Sequence, residues 1–263
     1  MIGAITAGLF STGTVAFSPT SIAGCQLWLD ASDTSSISVS GSAVTQWNDK
    51  SGNTRNFAQS TAGNRPSSGT RTQNSLNLID FDGTDDRLVS SSATSTWTFL
   101  SDGTEYTVFF ALVKDNDNYR DVMGNQGNTS SNTGVVFSEA NTLRINHIIS
   151  RGVGGTGVID NISSNNTVSG FHYWSNQAKP NDGTAANRSV MKYKGGADIK
   201  NNSLTASVNT GTPTFDLTIG DSKANTTNLP FDGAIGEIII YNSYLSAGNL
   251  STVNSYLATK WGV

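Results

Sequence analysis

"YTVFFALVK", residues 106–114, is the stretch of sequence that decides the fold. Its apolar side chains follow one another almost without interruption, and several are aromatic or β-branched. A run of this length is typical of a strand that is buried on both faces. We therefore expect a sheet at the centre of the molecule, with another layer packed on each side of residues 106–114.

Shorter runs of alternating apolar and polar residues lie on both sides of this stretch, and Gly, Asn, Asp and Ser separate them. Such spacing is typical of antiparallel β-sandwiches, and no helical pattern interrupts the runs as a βαβ fold would require. The segments 51–75 and 160–170 are rich in turn residues and are predicted to be surface loops. The predicted strands lie within 25–32, 43–49, 76–83, 133–139, 142–150, 169–177, 188–196, 215–222 and 233–242.

One helix is expected near the end of the sequence, within residues 245–263. Ser246 is a suitable N-cap residue and Gly262 a suitable C-terminal stop. The apolar residues between them recur at helical intervals, which predicts that one face of a short helix packs on the sheet. These apolar residues are Leu250, Val253, Leu257 and Trp261.

The composition excludes several classes of protein. Only 14% of the 263 residues are charged, and the net charge of −4 does not favour binding to nucleic-acid phosphates. The single cysteine, Cys25, excludes an intramolecular disulfide framework. No apolar run approaches the roughly 18 residues that span a bilayer, so we expect no membrane insertion.

The stretch "FDGTDDRL" (81–88) brings together three carboxylates, Asp82, Asp85 and Asp86. Calcium binding needs six to eight oxygen ligands, of which these side chains would supply a part. Asp-Gly is also a strong turn signal, and "FDGAIGEI" (231–238) repeats the opening without the acidic pair. The shared pattern favours a turn and no required cofactor, with a calcium site at the three aspartates as the alternative.

The chain is predicted not to be an enzyme. Glycoside hydrolysis needs two carboxylates facing each other across a cleft. The central strands contain only Glu237, while Glu105 lies at a strand edge. His147 and His172 show no metal-ligand spacing and are expected to be packed or surface residues.

Sugar binding is considered for "FHYWSNQ" (171–177), because an aromatic platform beside planar polar groups suits a saccharide. Alternation places His172 and Trp174 on one face and Phe171 and Tyr173 on the other. One pair fills the core of the sandwich. His172 and Trp174 are the candidate glycan-binding residues.

Several segments together resemble the concanavalin A-like, laminin-G-type jelly-roll family, in the version common among tailed phages and environmental bacteria. They are "LWLDASD" (27–33), "VTQWNDKSGNTRNFAQ" (44–59), "FDGTDDRL", "EYTVFFALVK" and the ending "YLATKWG" (256–262). The resemblance covers about residues 25–263 and implies two antiparallel sheets packed face to face, with the first and last strands adjacent. Members of the family bind glycans, bind proteins or fill space in a shell, so it implies no single function.

The N-terminal "MIGAITAGLFSTG" resembles short openings of virion proteins from marine phages, and the chain has no charge before Asp30. We therefore expect an arm at 1–22 and a jelly-roll domain at 23–263. The arm would dock the domain on other virion proteins of the capsid or tail, in a particle assembled in the host cytoplasm. A homo-oligomer and a host glycan are further expected partners, and the alternative is a free carbohydrate-binding module of a bacterial surface or secreted protein. The candidate docking residues are Ile2, Ile5, Leu9, Phe10, Val15 and Phe17.

Overall fold

The computed structural model describes residues 17–126, 133–140, 144–151, 158–160, 170–200, 212–222 and 229–263. These residues form an antiparallel β structure with one α-helix and several short 3-10 helices. The elements are β1 (Cys25–Asp30), β2 (Ile37–Ser40), β3 (Ala43–Trp47), β4 (Phe57–Ala58), β5 (Ser67–Gln73), β6 (Leu76–Asp82), β7 (Leu88–Ser90), β8 (Tyr106–Lys114), β9 (Arg120–Gly124), β10 (Thr133–Ala140), β11 (Arg144–Arg151), β12 (Val158–Asp160), β13 (His172–Ala178), β14 (Ser189–Tyr193), β15 (Ile199–Lys200), β16 (Thr218–Ile219), β17 (Asp232–Tyr241) and α1 (Ala247–Trp261).

The strands form two sheets, and every pairing between described strands is antiparallel. The first sheet has the order β5-β6-β17-β8-β13-β14-β15, and β1 extends it by pairing with the second half of β17. The second sheet has the order β2-β3-β4-β7-β16-β9-β10-β11-β12. Among the described residues, a single pairing, of Ala43 with Ser67, links the two sheets. The predicted jelly-roll-like sandwich, with its first and last strands adjacent, is confirmed.

Strand β8 lies inside the first sheet, between β13 and β17, as the apolar run at 106–114 predicts. Phe110 faces the second sheet and joins the core between the sheets. Phe109, its neighbour in sequence, points the other way and joins a second apolar cluster. Both are 0% exposed, so the sheet is buried on both faces at this strand.

The core between the sheets is built around large aromatic side chains. Phe110 and Trp174 of the first sheet lie with ring centroids 4.5 Å apart, and Phe137 of the second sheet lies 5.4 Å from Phe110. Full burial of each such side chain stabilises the fold by about 1.5–3 kcal/mol. This cluster holds the two sheets together.

Helix α1 covers the opposite face of the first sheet. The Ser246 side chain accepts a hydrogen bond from the amide of Asn249, and Gly262 ends the helix in the left-handed region with φ 68°. Both termini agree with the prediction. The apolar face of the helix is buried against Phe109, Ile239 and Tyr241; its residues are Leu250, Val253, Leu257 and Trp261.

Gly236 of β17 permits this close packing. A Cβ atom at this position would lie 2.7 Å from the Trp261 ring and 3.0 Å from the Phe171 ring. A side chain here would therefore push the end of α1 away from the sheet. The described part of the chain contains no helix long and apolar enough to cross a membrane.

The strand prediction was wrong in two places and missed the short strands β2, β7, β9, β12 and β15. The predicted loop at 51–75 contains β4 and β5, and the predicted strand at 215–222 is reduced to the two residues of β16. Strand β5, "SSGTRTQ", lies at the edge of the first sheet and has no buried side chain, so it lacks the alternation that marks a strand. Of the predicted loop at 160–170, residues 161–169 lie outside the described part.

Candidate functional site

The two FDG stretches are partners in adjacent strands. Asp232 pairs with Asp82, and Gly233 pairs with Phe81. A Cβ atom at Gly83 would lie 2.6 Å from the Cβ of Asp232, and Gly83 has φ +73°. The repeated FDG sequence therefore helps β6 pair with β17. Glycine is needed because the two strands lie too close together here for a side chain.

The acidic residues that follow form hydrogen bonds within the turn. Asp82 Oδ1 accepts hydrogen bonds from the amides of Thr84 (2.8 Å) and Asp85 (3.4 Å), and Asp86 Oδ2 accepts one from the Asp82 amide (3.0 Å). One carboxylate oxygen from each of Asp82, Asp85 and Asp86 lies within 4.8 Å of the others. Burial raises the pKa of Asp86 to about 6, and the Asp82 carboxylate adds to that effect. These contacts favour the turn, and a calcium ion here stays an untested alternative.

The predicted sugar platform at His172 and Trp174 does not fit the structure, because both side chains are 0% exposed. They belong to the interior face of β13. The carboxylate of Glu139 accepts hydrogen bonds from His172 Nε2 (2.9 Å) and Trp174 Nε1 (2.7 Å). Burial alone would raise the pKa of Glu139, but the neighbouring His172 outweighs it and holds this pKa below its usual value. The sequence pattern separated the two faces of the strand correctly, but neither pair is on the outside: Phe171 and Tyr173 are buried beneath α1 (8% and 4% exposed).

Of the six predicted docking residues, only Phe17 lies within the described part of the chain. Its ring packs edge-on against Tyr256 of α1, with ring centroids 5.3 Å apart. Pro19 follows, and its carbonyl accepts a hydrogen bond of 2.9 Å from the Tyr241 hydroxyl. The end of the arm thus lies on the chain's own domain. Ile2, Ile5, Leu9, Phe10 and Val15 lie outside the described residues, and the boundary between 1–22 and 23–263 stays a prediction.

Glu237, the carboxylate on a central strand, is fully buried and engaged by other side chains. Its Oε1 accepts hydrogen bonds from Trp28 Nε1 (2.7 Å) and the Tyr256 hydroxyl (2.7 Å). Its Oε2 accepts from Lys260 Nζ (2.8 Å) and Trp261 Nε1 (3.0 Å). Such a carboxylate ties β1, β17 and α1 together and has no access to a substrate.

A second buried carboxylate, Asp121 at the start of β9, is not satisfied in this way. It is 0% exposed, and among the described residues its carboxylate has only a weak hydrogen bond from the Ser222 hydroxyl. Asn125 Nδ2 is buried and has no partner among the described residues. Burial, with a smaller effect of the charge of Asp221, raises the pKa of Asp121 to about 7. A poorly paired carboxylate beside a second aspartate and a hydroxyl group fits a hard cation such as calcium, which takes oxygen ligands.

An open pocket of about 370 Å³ lies between α1 and the turn that follows β14; we call it the helix–turn pocket. Tyr173 of β13 forms part of its floor, and Lys192 and Lys194 form one side. Leu250 and Asn254 of α1 contribute from the other side. The full lining is Tyr173, Lys192, Lys194, Gly195, Ala247, Leu250, Ser251, Asn254, Ser255 and Ala258.

The turn at Tyr193–Gly196 shapes this pocket. Lys194 and Gly195 both have positive φ (47° and 66°), and the Gly196 amide donates to the Tyr193 carbonyl at 2.9 Å. This is the pattern of a tight mirror-image turn, which favours glycine. A Cβ atom at Gly195 would lie 3.3 Å from both Asn254 Cβ and the Tyr173 hydroxyl. Glycine therefore lets the turn approach the helix and leaves the space between them open.

Asn254 lies at the edge of the helix–turn pocket. The residue is 8% exposed, and its Oδ1 is shielded from solvent and has no hydrogen-bond partner among the described residues. A ligand would reach this oxygen only if the side chain turned, and pairing it would then recover the roughly 1–3 kcal/mol that an unpaired buried acceptor costs. The sequence analysis missed this pocket. Its residues come from three segments that only the docking of α1 brings together, and the sole local signal was "KGG" at 194–196.

Comparison with known proteins places the fold. No family model matches the chain, and no curated protein matches it. Among solved structures, the binding domain of Paraclostridial Mosquitocidal Protein 1 is similar with a TM-score of 0.59 and 13% identity, over 91% of this chain and 53% of that one. Trypanosoma rangeli sialidase in complex with sialic acid is similar with a TM-score of 0.58 and 10% identity, over 91% of this chain and 33% of that one.

A third similar structure is the Ruminococcus gnavus IT-sialidase CBM40 bound to alpha2,3 sialyllactose, with a TM-score of 0.50 and 14% identity, over 67% of this chain and 95% of that one. The chain thus spans about a third of the length of the sialidase and about half of that of the mosquitocidal protein chain. At these identities the likeness shows the fold alone, which is the all-β sandwich described above.

Proposed function

We propose that this chain is a non-catalytic carbohydrate-binding module whose ligand lies in the helix–turn pocket. The observation that carries the proposal is a pocket open to solvent, lined by hydroxyl groups and an apolar wall between α1 and the turn after β14. Tyr173, Ser251 and Ser255 add hydroxyl groups, which both donate and accept hydrogen bonds. Leu250 and Ala258 add apolar surface for the carbon skeleton. Directional polar groups beside a small apolar wall suit a saccharide.

The fold and the carboxylates support a binding role over a catalytic one. The similar solved structures include a sialidase, but also two binding domains. Glu237, the carboxylate of the central strands, is buried among four hydrogen-bond donors. Glycoside hydrolysis by two carboxylates needs both of them at a cleft. The helix–turn pocket has no carboxylate among its lining residues in the described part of the chain.

The test of carbohydrate binding is a saccharide array probed with the folded chain and with a blocked variant. Ser251 is exposed and lines the pocket, so Ser251→Trp should fill it and abolish binding. Asn249 is exposed on the same helix and does not line the pocket, so Asn249→Trp is the matched control. Failure to bind any saccharide would overturn the proposed function. Binding that survives Ser251→Trp would place the ligand elsewhere.

We further propose that the module is a structural protein of a tailed-phage particle, on the capsid or the tail, attached through its N-terminal arm. The support is the resemblance of the sequence and the uncharged, apolar composition of residues 1–17. Extended apolar segments of this kind can add to the sheet edge of another protein. The contact between Phe17 and Tyr256 places the end of the arm beside α1, on a face of the helix that meets the helix–turn pocket only at Ser255. An arm held there would leave the pocket free for a host glycan.

Mass spectrometry of gradient-purified particles tests this role. We expect the intact chain in the particles, and its loss from them when residues 2–16 are deleted while circular dichroism still reports a folded domain. Incorporation of the shortened chain at the normal copy number would show that the arm is not the anchor. Absence of the intact chain from particles would favour the free bacterial carbohydrate-binding module.

A further inference from the structure

We propose that the helix–turn pocket selects saccharides that carry an anionic group, a carboxylate or a sulfate. The inference rests on the proposed function and adds the chemical class of the ligand. It starts from the charges around the pocket. Lys192 and Lys194 line it, and its described lining contains no aspartate or glutamate. In a chain with a net charge of −4, this is a local excess of positive charge.

The neighbouring carboxylate does not cancel this charge. Asp198 forms ion pairs with Lys192 (2.5 Å) and Lys200 (3.2 Å), so one negative charge faces two positive ones. Lys192, held by hydrogen bonds to Asp198, keeps the pKa of that carboxyl below its usual value. Residues 201–211, which follow Lys200 in the sequence, contain no charged side chain. With Lys194 included, the group carries three positive charges and one negative charge.

Lys194 is the cation best placed for a ligand. It has no ion-pair partner among the described residues, whereas Lys192 is held by Asp198 and by the carbonyl of Gly196 (3.2 Å). Its backbone is fixed by a hydrogen bond of 2.9 Å from its amide to the Tyr173 carbonyl. The first turn of α1 borders the same pocket at Ala247. The positive end of the helix dipole favours an anion there.

The hydroxyl groups and the lysines then have separate tasks. Ser251 and Ser255 are exposed and line the pocket, and their hydroxyl oxygens accept hydrogen bonds from hydroxyl or amide N–H groups of the ligand. The ammonium groups serve the carboxylate or sulfate. A ligand that satisfies both has an anionic substituent and donor groups on one small skeleton. An anionic monosaccharide has both. An inorganic anion has only the negative charge, and a neutral sugar has only the donor groups.

Calorimetric titration with matched probes tests the inference. We expect glucuronate, N-acetylneuraminate or glucose 6-sulfate to bind at least about tenfold more tightly than glucose at low salt. The preference should shrink as salt screens the lysines. Comparing glucuronate with glucose 6-sulfate shows whether the pocket prefers a carboxylate or a sulfate. Sodium sulfate alone should bind more weakly than the anionic sugars, and equal binding would contradict a saccharide site.

Two variants and one control test the charge without altering the core. Ser251→Glu adds a negative charge at the pocket and should remove the preference, while Asn249→Glu adds the same charge on another side of the helix and should keep it. Lys194→Asn should also reduce the preference, and asparagine tolerates the positive φ at this position. Equal binding of glucose and glucuronate, both abolished by Ser251→Trp, would overturn this inference and leave the proposed function intact. A preference that survives Ser251→Glu together with Lys194→Asn would also overturn it.

Discussion

Glu237 is a fully buried carboxylate that joins β1, β17 and α1 through hydrogen bonds from two tryptophans, a tyrosine and a lysine. We predict that Glu237→Gln destabilises the fold by about 3–5 kcal/mol, because the amide NH₂ would face donors and Lys260 would lose a partner. Urea unfolding followed by tryptophan fluorescence would measure this. Glu105→Gln is the control: Glu105 forms an exposed ion pair with Lys179, at 3.5 Å, and its loss should cost no more than about 1 kcal/mol. Equal effects would contradict the role of Glu237.

Asp121 should make stability depend on pH. Its pKa is raised to about 7 in the fold from 3.8, so the folded state holds the proton more tightly than the unfolded chain. Without divalent cations, the contribution of Asp121 to the free energy of unfolding should fall as pH rises from about 4 to 7, by up to about 4 kcal/mol, and then level off. Asp86 and the buried His147 also change stability in this range, so the contribution is measured as the difference between the unaltered chain and Asp121→Asn, each unfolded at several pH values.

The same unfolding experiment is then repeated with calcium. If the ionised carboxylate of Asp121 holds a cation, calcium should raise the melting temperature of the unaltered chain at pH 8 and have little effect on Asp121→Asn. The pair Asp85→Ala with Asp86→Ala is the control, because it removes two of the three acidic residues of the 81–88 turn. A calcium effect lost in that control and kept in Asp121→Asn would restore the alternative at the turn.

At the scale of elements, α1 should contribute a large part of the stability. Leu257 is 0% exposed between the helix and the first sheet. Leu257→Ala should therefore cost about 2–5 kcal/mol in chemical unfolding, from lost burial and the cavity left behind. Thr259, two residues further along α1, is exposed and serves as the control. Thr259→Ala should change the free energy of unfolding by no more than about 0.5 kcal/mol. A small effect at Leu257 would show that the helix is not docked as described.

Long elements buried on one or two faces were predictable from the sequence, because burial leaves a pattern, whereas the short buried strands β7 and β9 were missed. Strand β8 and helix α1 lie where the apolar run and the helical spacing placed them. Strand β5 was missed, since an exposed edge strand needs no apolar side chain. The helix–turn pocket could not be predicted either. Nothing local in Tyr173, Lys194 or Asn254 records that the docking of a distant helix brings them together.

At the scale of the whole molecule, the arm and the domain should be separable. The described contacts of residues 17–22 with the domain, such as that of Phe17 with Tyr256, remain when residues 2–16 are removed. We therefore expect deletion of 2–16 to change the melting temperature by only a few degrees. Deletion of 2–22 also removes the buried Ile22 and should lower it further. A large loss from the shorter deletion would show that residues 2–16 belong to the fold.

The position of β17 also has a consequence for how the chain folds. This strand pairs with β1, β6 and β8, and Trp28 contacts Glu237 across 209 positions of sequence. All three partners are synthesised before it, so the centre of the first sheet cannot close while the ribosome is making the intervening residues. Pairings between such distant segments slow folding, and the waiting strands expose apolar surface and free edges. The nascent chain is therefore expected to depend on chaperones until residues 232–241 have emerged.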